Sequence, residues 1–228
     1  MTLPADLYPF AALRLRTTTS DGAEVELRTG DLEGVVALAA VAAEGVHDEA
    51  LMPFTTPWTR CEPAERARRT FDWQVGAWAG WRPEDWRLEF VVRRDGVVVG
   101  TQSLSARHFP VRREVGTGSW LGRAHQGRGT GRAMRVAVLA LAFDHLGADT
   151  ATSSAFVDNP ASLAVSHGLG YADDGLEVEV REGARVLAQR LRLDRAAWRD
   201  GRDRGARVEV TGAGPALAAL RPEGTAGG

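Results

Sequence analysis

Hydrophobic and polar positions alternate through residues 13–27 on either side of Asp21-Gly22, the pattern of two half-buried strands joined by a tight turn. The period then lengthens, and Asp31 to about Glu44 reads as a helix. A second helix is expected from near Glu62. Pro63 suits the first helical position, and Ala64, Ala67, Phe71, Val75 and Trp78 recur at helical spacing. Leu88–Arg93 and Val97–Ser105 read as strands joined through Asp95-Gly96, a strong hairpin signal, and Glu114–Leu121 as a third. A helix from about Thr130 to Leu146 stops at Gly147, and Thr150–Phe156 follows as a strand. Asn159 and Pro160 supply an N-cap and a first position for a helix closed by Gly168 and Gly170. Two strands near 176–181 and 184–193 form a last hairpin about Glu182-Gly183. No internal repeat is present. The pattern predicts an α+β chain: a mostly antiparallel sheet with inserted helices and one parallel β–α–β step at 114–156.

The 228 residues suit one domain, placed over 1–199, with 200–228 a C-terminal tail, partly disordered and loosely ordered after about 211. A net charge of -2 gives no electrostatic reason to expect nucleic acid or a membrane surface as partner. Cys61 is the single cysteine, so no internal disulfide forms and a reducing compartment fits. No leader-like start and no membrane-length apolar run is visible, so a soluble cytoplasmic protein is the default. The sequence contains no lysine, and all 28 basic residues are arginine. GC-rich codon usage explains this, and so does a functional advantage in carrying no lysine of its own. Both readings stay open.

The chemistry concentrates in Gly118-Ser119-Trp120-Leu121-Gly122-Arg123-Ala124-His125-Gln126-Gly127-Arg128-Gly129-Thr130-Gly131, which runs from a strand through a glycine-rich loop into a helix. Glycines let a backbone approach a ligand, and a helix N-terminus offers free N–H donors, which together suit a pyrophosphate. The dinucleotide pattern G-x-G-x-x-G fails at Arg132 or Met134. Walker A fails at Arg128 and Gly129, and G-x-S-x-G fails because Ser119 directly follows Gly118. Gln126, Gly129 and Gly131 do fit Gln-x-x-Gly-x-Gly. Downstream stand Asp158-Asn159-Pro160-Ala161-Ser162, Val165 and Leu169-Gly170-Tyr171.

These two motifs, in this order, resemble the GNAT superfamily of N-acyltransferases, in the branch that includes ribosomal-protein N-terminal acetyltransferases. The resemblance covers roughly residues 10–199. Gly45-Val46-His47-Asp48, Met52-Pro53-Phe54, Pro57-Trp58-Thr59-Arg60 and Ser119-Trp120-Leu121-Gly122 further resemble an actinobacterial subgroup, some of whose members use succinyl-CoA. The resemblance implies a GNAT fold with splayed central strands flanked by helices. It also implies acetyl-CoA or succinyl-CoA as co-substrate, no metal, and an amine acceptor on a small molecule or a protein. A homo-oligomer is left open. Carried over by motif, Ser119, Trp120, Leu121, Gln126, Gly127, Arg128, Gly129, Thr130, Gly131, Asn159 and Ser162 bind the donor. The Leu121 N–H polarises the thioester and Ser162 assists the leaving thiolate. The family's tyrosine acid is replaced here by Ser166, a poor acid.

For the base, Glu114 stands seven residues before Leu121, roughly 23 Å if extended, which is too far. His47 and Asp48 are better placed, with bulk water as a third option. The loop around 45–60 carries His47, Asp48, Phe54, Trp58 and Arg60 as acceptor-side candidates, and it reads either as a binding loop or as a loop pinned by its aromatics. Arg60 would grip a succinyl carboxylate or sit in a surface ion pair. The five histidines show no metal-ligand spacing, and Cys61 reads as an ordinary thiol. A non-catalytic acyl-CoA sensor or scaffold is the competing function.

Overall fold

The structure, a computed structural model, describes residues 4, 6–201 and 207–220. One nine-stranded sheet organises the chain in the order β7-β8-β6-β5-β4-β3-β2-β1-β9. Strands β1 (Arg14–Thr18) and β2 (Glu24–Arg28) form the first hairpin, and helices α1 (Leu32–Glu44) and α2 (Pro63–Gly80) follow. Next come β3 (Asp85–Arg94) and β4 (Val97–Arg107), a short helix α3 (Phe109–Arg112) and β5 (Glu114–Leu121). Helix α4 (Thr130–Ala140) widens into a π-helical turn over Leu141–Leu146 before β6 (Thr150–Phe156) and α5 (Pro160–Gly168). The hairpin of β7 (Ala172–Arg181) and β8 (Ala184–Asp194), then α6 (Arg195–Asp200), β9 (Glu209–Thr211) and α7 (Ala213–Leu220), complete the described chain.

Local chemistry explains most boundaries. Asp95 and Gly96, at φ 48° and 81°, make the tight turn that a short hairpin requires. Asp31 caps α1 by accepting from the Gly34 N–H, and its other oxygen pairs with Arg93 at 2.6 Å, which ties α1 to β3. Gly147 takes φ 80° and ends the π turn. Helix α3 escapes the sequence pattern because it spans four residues and is bracketed by His108 and Arg113 in left-handed conformations. Strand β7 begins earlier than expected, since an irregularity between Asp173 and Leu176 lets it resume pairing with β8.

The expected loose tail is corrected over 209–220. Strand β9 pairs with β1 at the sheet edge, and α7 buries Ala216 and Leu220 against the core. Small apolar residues there have a docking surface that composition alone does not reveal. Residues 221–228 lie outside the described residues.

The sheet is antiparallel except for β5 and β6. Those two are parallel and pair only over Glu114–Gly116 with Thr150–Thr152. Beyond Gly116 they diverge into a wedge. Helices cover opposite faces on either side of it. Gln74 of α2 donates to Thr101, which pairs with Trp120, whereas Arg135 of α4 donates to Ser119, the neighbour of Trp120. Successive strand residues point to opposite faces, so α2 and α4 lie on opposite sides. Leu15, Leu27, Leu88, Phe90, Leu104 and Val115 pack with Val138 and Leu139 in one continuous core. No helix among the described residues is long and apolar enough to cross a membrane.

Candidate active site

The open edge of β5 follows from its pairing. The Gly122 N–H bonds to the Val99 carbonyl, and the register aligns Gly100 with Leu121 and Thr101 with Trp120. Antiparallel pairs alternate, so Trp120 turns its backbone groups toward β4, while Ser119 and Leu121 turn theirs toward the wedge. The wedge therefore presents backbone donors from β5 with no strand to receive them.

The glycine loop continues this donor surface. Gly127 and Gly129 take φ 73° and 76°, which an L side chain adopts only with strain. Among the described residues, the backbone N–H groups of Gly127, Arg128, Gly129, Thr130 and Gly131 have no intrachain partner. The loop is held from behind. Gln126 spends its amide on the carbonyls of Val46 and Leu121, at 2.7 and 3.0 Å, so it shapes the loop rather than facing a ligand. Arg94, only 14% exposed, donates to the Arg128 carbonyl at 2.8 Å and to Thr130 Oγ1, and pairs with Asp21 at 2.6 Å. A β-carbon on Gly131 would meet only Leu121 and Val165, at 3.9 and 4.0 Å, so this glycine opens onto the space between the end of β5 and α5. The residues fit a pyrophosphate with its attached arm. Free N–H groups converge, the helix end is positive, and space is left where side chains would intrude.

Across the wedge, Asn159 Oδ1 accepts from the Ser162 N–H at 3.2 Å and caps α5. Its carbonyl is thus spent on the helix, and only its NH2 remains to donate. Ser162 stands half-buried on the first turn. Ser166 is fully buried, and its Oγ has no partner among the described residues. Glu114 lies at the closed end of the wedge, opposite Thr150, and pairs with Arg112 at 2.6 Å.

The loop between α1 and α2 covers the other face. His47, Phe54, Trp58 and Trp120 form a chain of aromatic contacts with ring separations of 5.8, 5.2 and 5.6 Å. His47 Nδ1 lies 2.7 Å from the Asp48 carbonyl, so it carries the proton. Nε2 lies 2.7 Å from Thr59 Oγ1, at hydrogen-bond distance. Both ring nitrogens are engaged in shaping the loop. Asp48 pairs with Arg123 at 3.0 Å, which joins this loop to the glycine loop. Arg60 takes the second of its two expected places, an ion pair at the surface. It pairs with Glu182 at 2.8 Å and donates to the Glu49 carbonyl at 2.6 Å, because the β7–β8 turn brings a carboxylate to it. That pairing holds the Glu182 carboxyl below its usual range. Arg181 makes a second clasp through Asp158 at 2.7 Å and stacks over Phe156. Cys61 is an intermediate, unpaired thiol that contacts the Trp58 carbonyl.

Next to Trp120 on the α2 face, Gly118 and Gly116 carry no side chains and floor a groove of about 470 Å³, with Ser103, Ser105, Thr152 and Glu177 among its walls. Glu177 makes no ion pair among the described residues, whereas Asp174 and Glu114 in the same groove face arginines. Sequence reasoning missed Glu177, which alternation on an edge strand marks only as solvent-facing. It missed Arg94 as well, since the groups Arg94 holds lie 34 and 73 positions away. Among the described residues no group of three or more His, Cys, Asp or Glu could hold a metal.

A family profile described as "Acetyltransferase (GNAT) domain" matches residues 25–172, more than half of the chain. The chain belongs to the GNAT acetyltransferase family. Its fold neighbours fit that membership. Mycobacterium smegmatis RimJ, solved with CoA-disulfide, superposes with a TM-score of 0.70 at 20% identity, covering 86% of this chain and 96% of that one. RimL, a ribosomal L7/L12 α-N-protein acetyltransferase solved with coenzyme A, gives 0.60 at 18% identity over 75% and 93%. A Vibrio cholerae spermidine N-acetyltransferase SpeG chimera with hSSAT gives 0.57 at 17% over 77% and 98%. The GNAT sheet, with its single parallel pair at β5 and β6, is the expected fold, and the RimJ and RimL neighbours match the branch that the motifs resemble.

Proposed function

We propose that this GNAT chain transfers an acyl group from acetyl-CoA or succinyl-CoA to an amine by direct attack on the thioester. The carrying observation is two sets of backbone donors without intrachain partners, Ser119 and Leu121 on the open edge of β5 and Gly127–Gly131 at the helix start. In this reading the loop N–H groups hold the pyrophosphate. Gly131 leaves room for the pantetheine arm, and the Asn159 NH2 and the edge of β5 orient it. The amine nitrogen attacks the thioester carbon and the C–S bond breaks. The Leu121 N–H, pointing into the wedge, stabilises the negative charge that develops on the carbonyl oxygen. Ser162 donates a hydrogen bond to the departing thiolate, a good leaving group that demands little from its acid.

The acceptor enters from the α2 face, where Phe54, Trp58 and Trp120 form an apolar wall and the groove beyond them carries the unpaired Glu177. Arg87, Arg190 and Arg192 line the same groove beside Glu114, Asp174 and Glu177, so the apolar wall, not net charge, marks the acceptor side, and the acceptor amine belongs to a small molecule or a protein. With His47 committed to its loop, water takes the amine proton. The donor carboxylate, if succinyl, finds Arg60 already paired, so backbone donors or another cation must receive it. A single cysteine and CoA chemistry fit a reducing cytoplasm.

The test is a donor-by-acceptor screen with both acyl-CoAs, reading CoA release and product mass. Acylated amine with stoichiometric CoA supports the proposal. CoA binding without release for any amine would instead favour a CoA-binding sensor.

A further inference from the structure

The arginines of the groove beside Trp120 are not equivalent. Arg190 spends Nε and Nη2 on the Asp174 carbonyl, at 2.8 and 2.6 Å. Arg192 pairs with Asp194 at 3.0 Å and donates to Thr150 Oγ1 at 2.8 Å. Arg87 makes no hydrogen bond among the described residues. Its guanidinium stacks on the Trp73 ring at 5.2 Å, and the carboxylate nearest to it is Glu89 at 3.9 Å, beyond hydrogen-bond reach. Burial pushes the Glu89 carboxyl up, which favours its neutral form and weakens even that pairing. Arg87 therefore holds a permanent charge and five N–H donors without an acceptor, 45% exposed on the wall of the groove.

Strand register fixes what stands beside this charge. Arg87 aligns with Ser105, Ser105 with Gly116, Gly116 with Thr152 and Thr152 with Arg192, one row across five strands, and all five line the groove. A β-carbon on Gly116 would meet Ser105 Oγ at 3.3 Å and Thr152 Oγ1 at 3.9 Å, so the bare glycine leaves a hollow between two hydroxyls. Thr152 spends its proton on the Val115 carbonyl, whereas Ser105 Oγ has no partner among the described residues. Arg87 stands two strands from Gly116, roughly 10 Å. Glu114, the next position of β5 on this face, is taken by Arg112 at 2.6 Å. The unpaired Glu177 lies toward the opposite end. It aligns with Ala188, and Ala188 with Phe156, four residues along β6 from Thr152. The groove is thus polarised, with a free anion toward the open end of the wedge and a free cation at the closed end.

We infer that Arg87 and Ser105, beside the hollow at Gly116, bind a carboxylate that the acceptor carries at its end away from the reacting amine. The inference rests on the acyl-transfer reading and narrows its acceptor class. Trp120, Gly118 and Gly116 are successive positions of β5 on the α2 face, so a lane without side chains joins the aromatic wall to the hollow. From Leu121 to Gly116 the strand spans about 17 Å. An extended amine with a carboxylate at roughly that distance fits the lane, such as a peptide with an acidic side chain or a free C-terminus about five residues from its amine. A polyamine, cationic at both ends, would set its second ammonium against Arg87 and is disfavoured.

The experiment measures kcat/KM for alanine hexapeptide amides in which a single Asp is moved from position two to position six, each against its Asn counterpart. A second arm compares free with amidated C-termini in alanine peptides of four to six residues, which separates a main-chain from a side-chain carboxylate. In at least one arm the parent should favour the carboxylate about ten-fold over its neutral counterpart, with the preference greatest at positions four to six. Arg87→Gln should bring that ratio close to one, and Arg87→Glu should push it below one. Because it is a ratio, general damage to the enzyme cancels. A ratio near one throughout the parent series, a preference greatest at position two or three, or an equal ratio in parent and Arg87→Gln would overturn the inference. A parent that acylates other amines but none of these peptides would overturn it too, whereas no CoA release with any amine would defeat the acyl-transfer reading itself. If Arg87→Gln does not fold, Ser105→Ala takes its place, with the ratio expected to fall by about half or more.

Discussion

The two faces of the wedge are built in opposite ways. On the side proposed to hold the donor, the surface is backbone: the exposed edge of β5, two left-handed glycines and the first N–H groups of α4. On the side proposed to receive the acceptor it is side chain: an aromatic row and clasps that join residues as distant as Arg60 and Glu182. Backbone donors keep their geometry whatever residues surround them, so the donor side is a fixed socket. Clasps between exposed charges are individually weak and screened by salt, so the acceptor side can be retuned by single substitutions. One fold can thus hold one donor class while its acceptor varies.

The sharpest way to break this contrast is to fill the socket. Gly131→Val carries no left-handed strain and meets no protein atom closer than 3.9 Å at its β-carbon, so the fold should tolerate it. CoA affinity should nevertheless fall by about 100-fold, because the side chain takes the arm's space. Calorimetry with a melting curve for folding checks this, and near-parental affinity in a folded variant would remove the arm from that space. Ser162→Ala should lower kcat by about ten-fold and leave CoA affinity nearly unchanged, as expected for a group acting at the leaving sulfur. A fall in affinity with unchanged kcat would make Ser162 a binding residue.

The acceptor half of the contrast has its own tests. Glu89 is 3% exposed beneath α2, where it accepts from Trp73 and Thr101, and burial pushes its carboxyl up from the ordinary 4.5. The folded state therefore holds this proton more tightly than the unfolded chain. The sign follows: this group makes stability fall as pH rises above about 4.5 through the raised folded value. Glu89→Gln, which cannot titrate, should flatten that part of the curve. Denaturant titrations at several pH values measure it, and an unchanged slope would assign the pH dependence elsewhere. Arg60→Met should have the smallest effect. It opens one clasp and raises the acceptor KM by about two- to five-fold at low salt, and the effect fades at high salt. A changed succinyl-to-acetyl ratio without a changed acceptor KM would return Arg60 to the donor.

Legibility in the sequence follows the same division. The glycine loop, the Asn159 cap and the Asp95-Gly96 turn are short-range features whose residues stand together, so they could be read directly. The central strands β5 and β6 were legible because their patterns end at glycine- and proline-marked turns. What escaped depends on contacts across long separations. Arg94 braces a loop far along the chain, Glu182 captures Arg60, and α7 finds a docking surface that only the folded core supplies. The contact of His47 with Thr59, twelve residues away, was equally hidden.

The central claim, that backbone N–H groups hold the donor phosphates, is tested most directly by amide hydrogen exchange at single-residue resolution with and without CoA. The account predicts that Gly127, Arg128, Gly129, Thr130 and Gly131, which have no intrachain partner, exchange freely in the apo protein and become protected together when CoA binds. CoA binding shown by calorimetry, with exchange at these five amides unchanged, would contradict it.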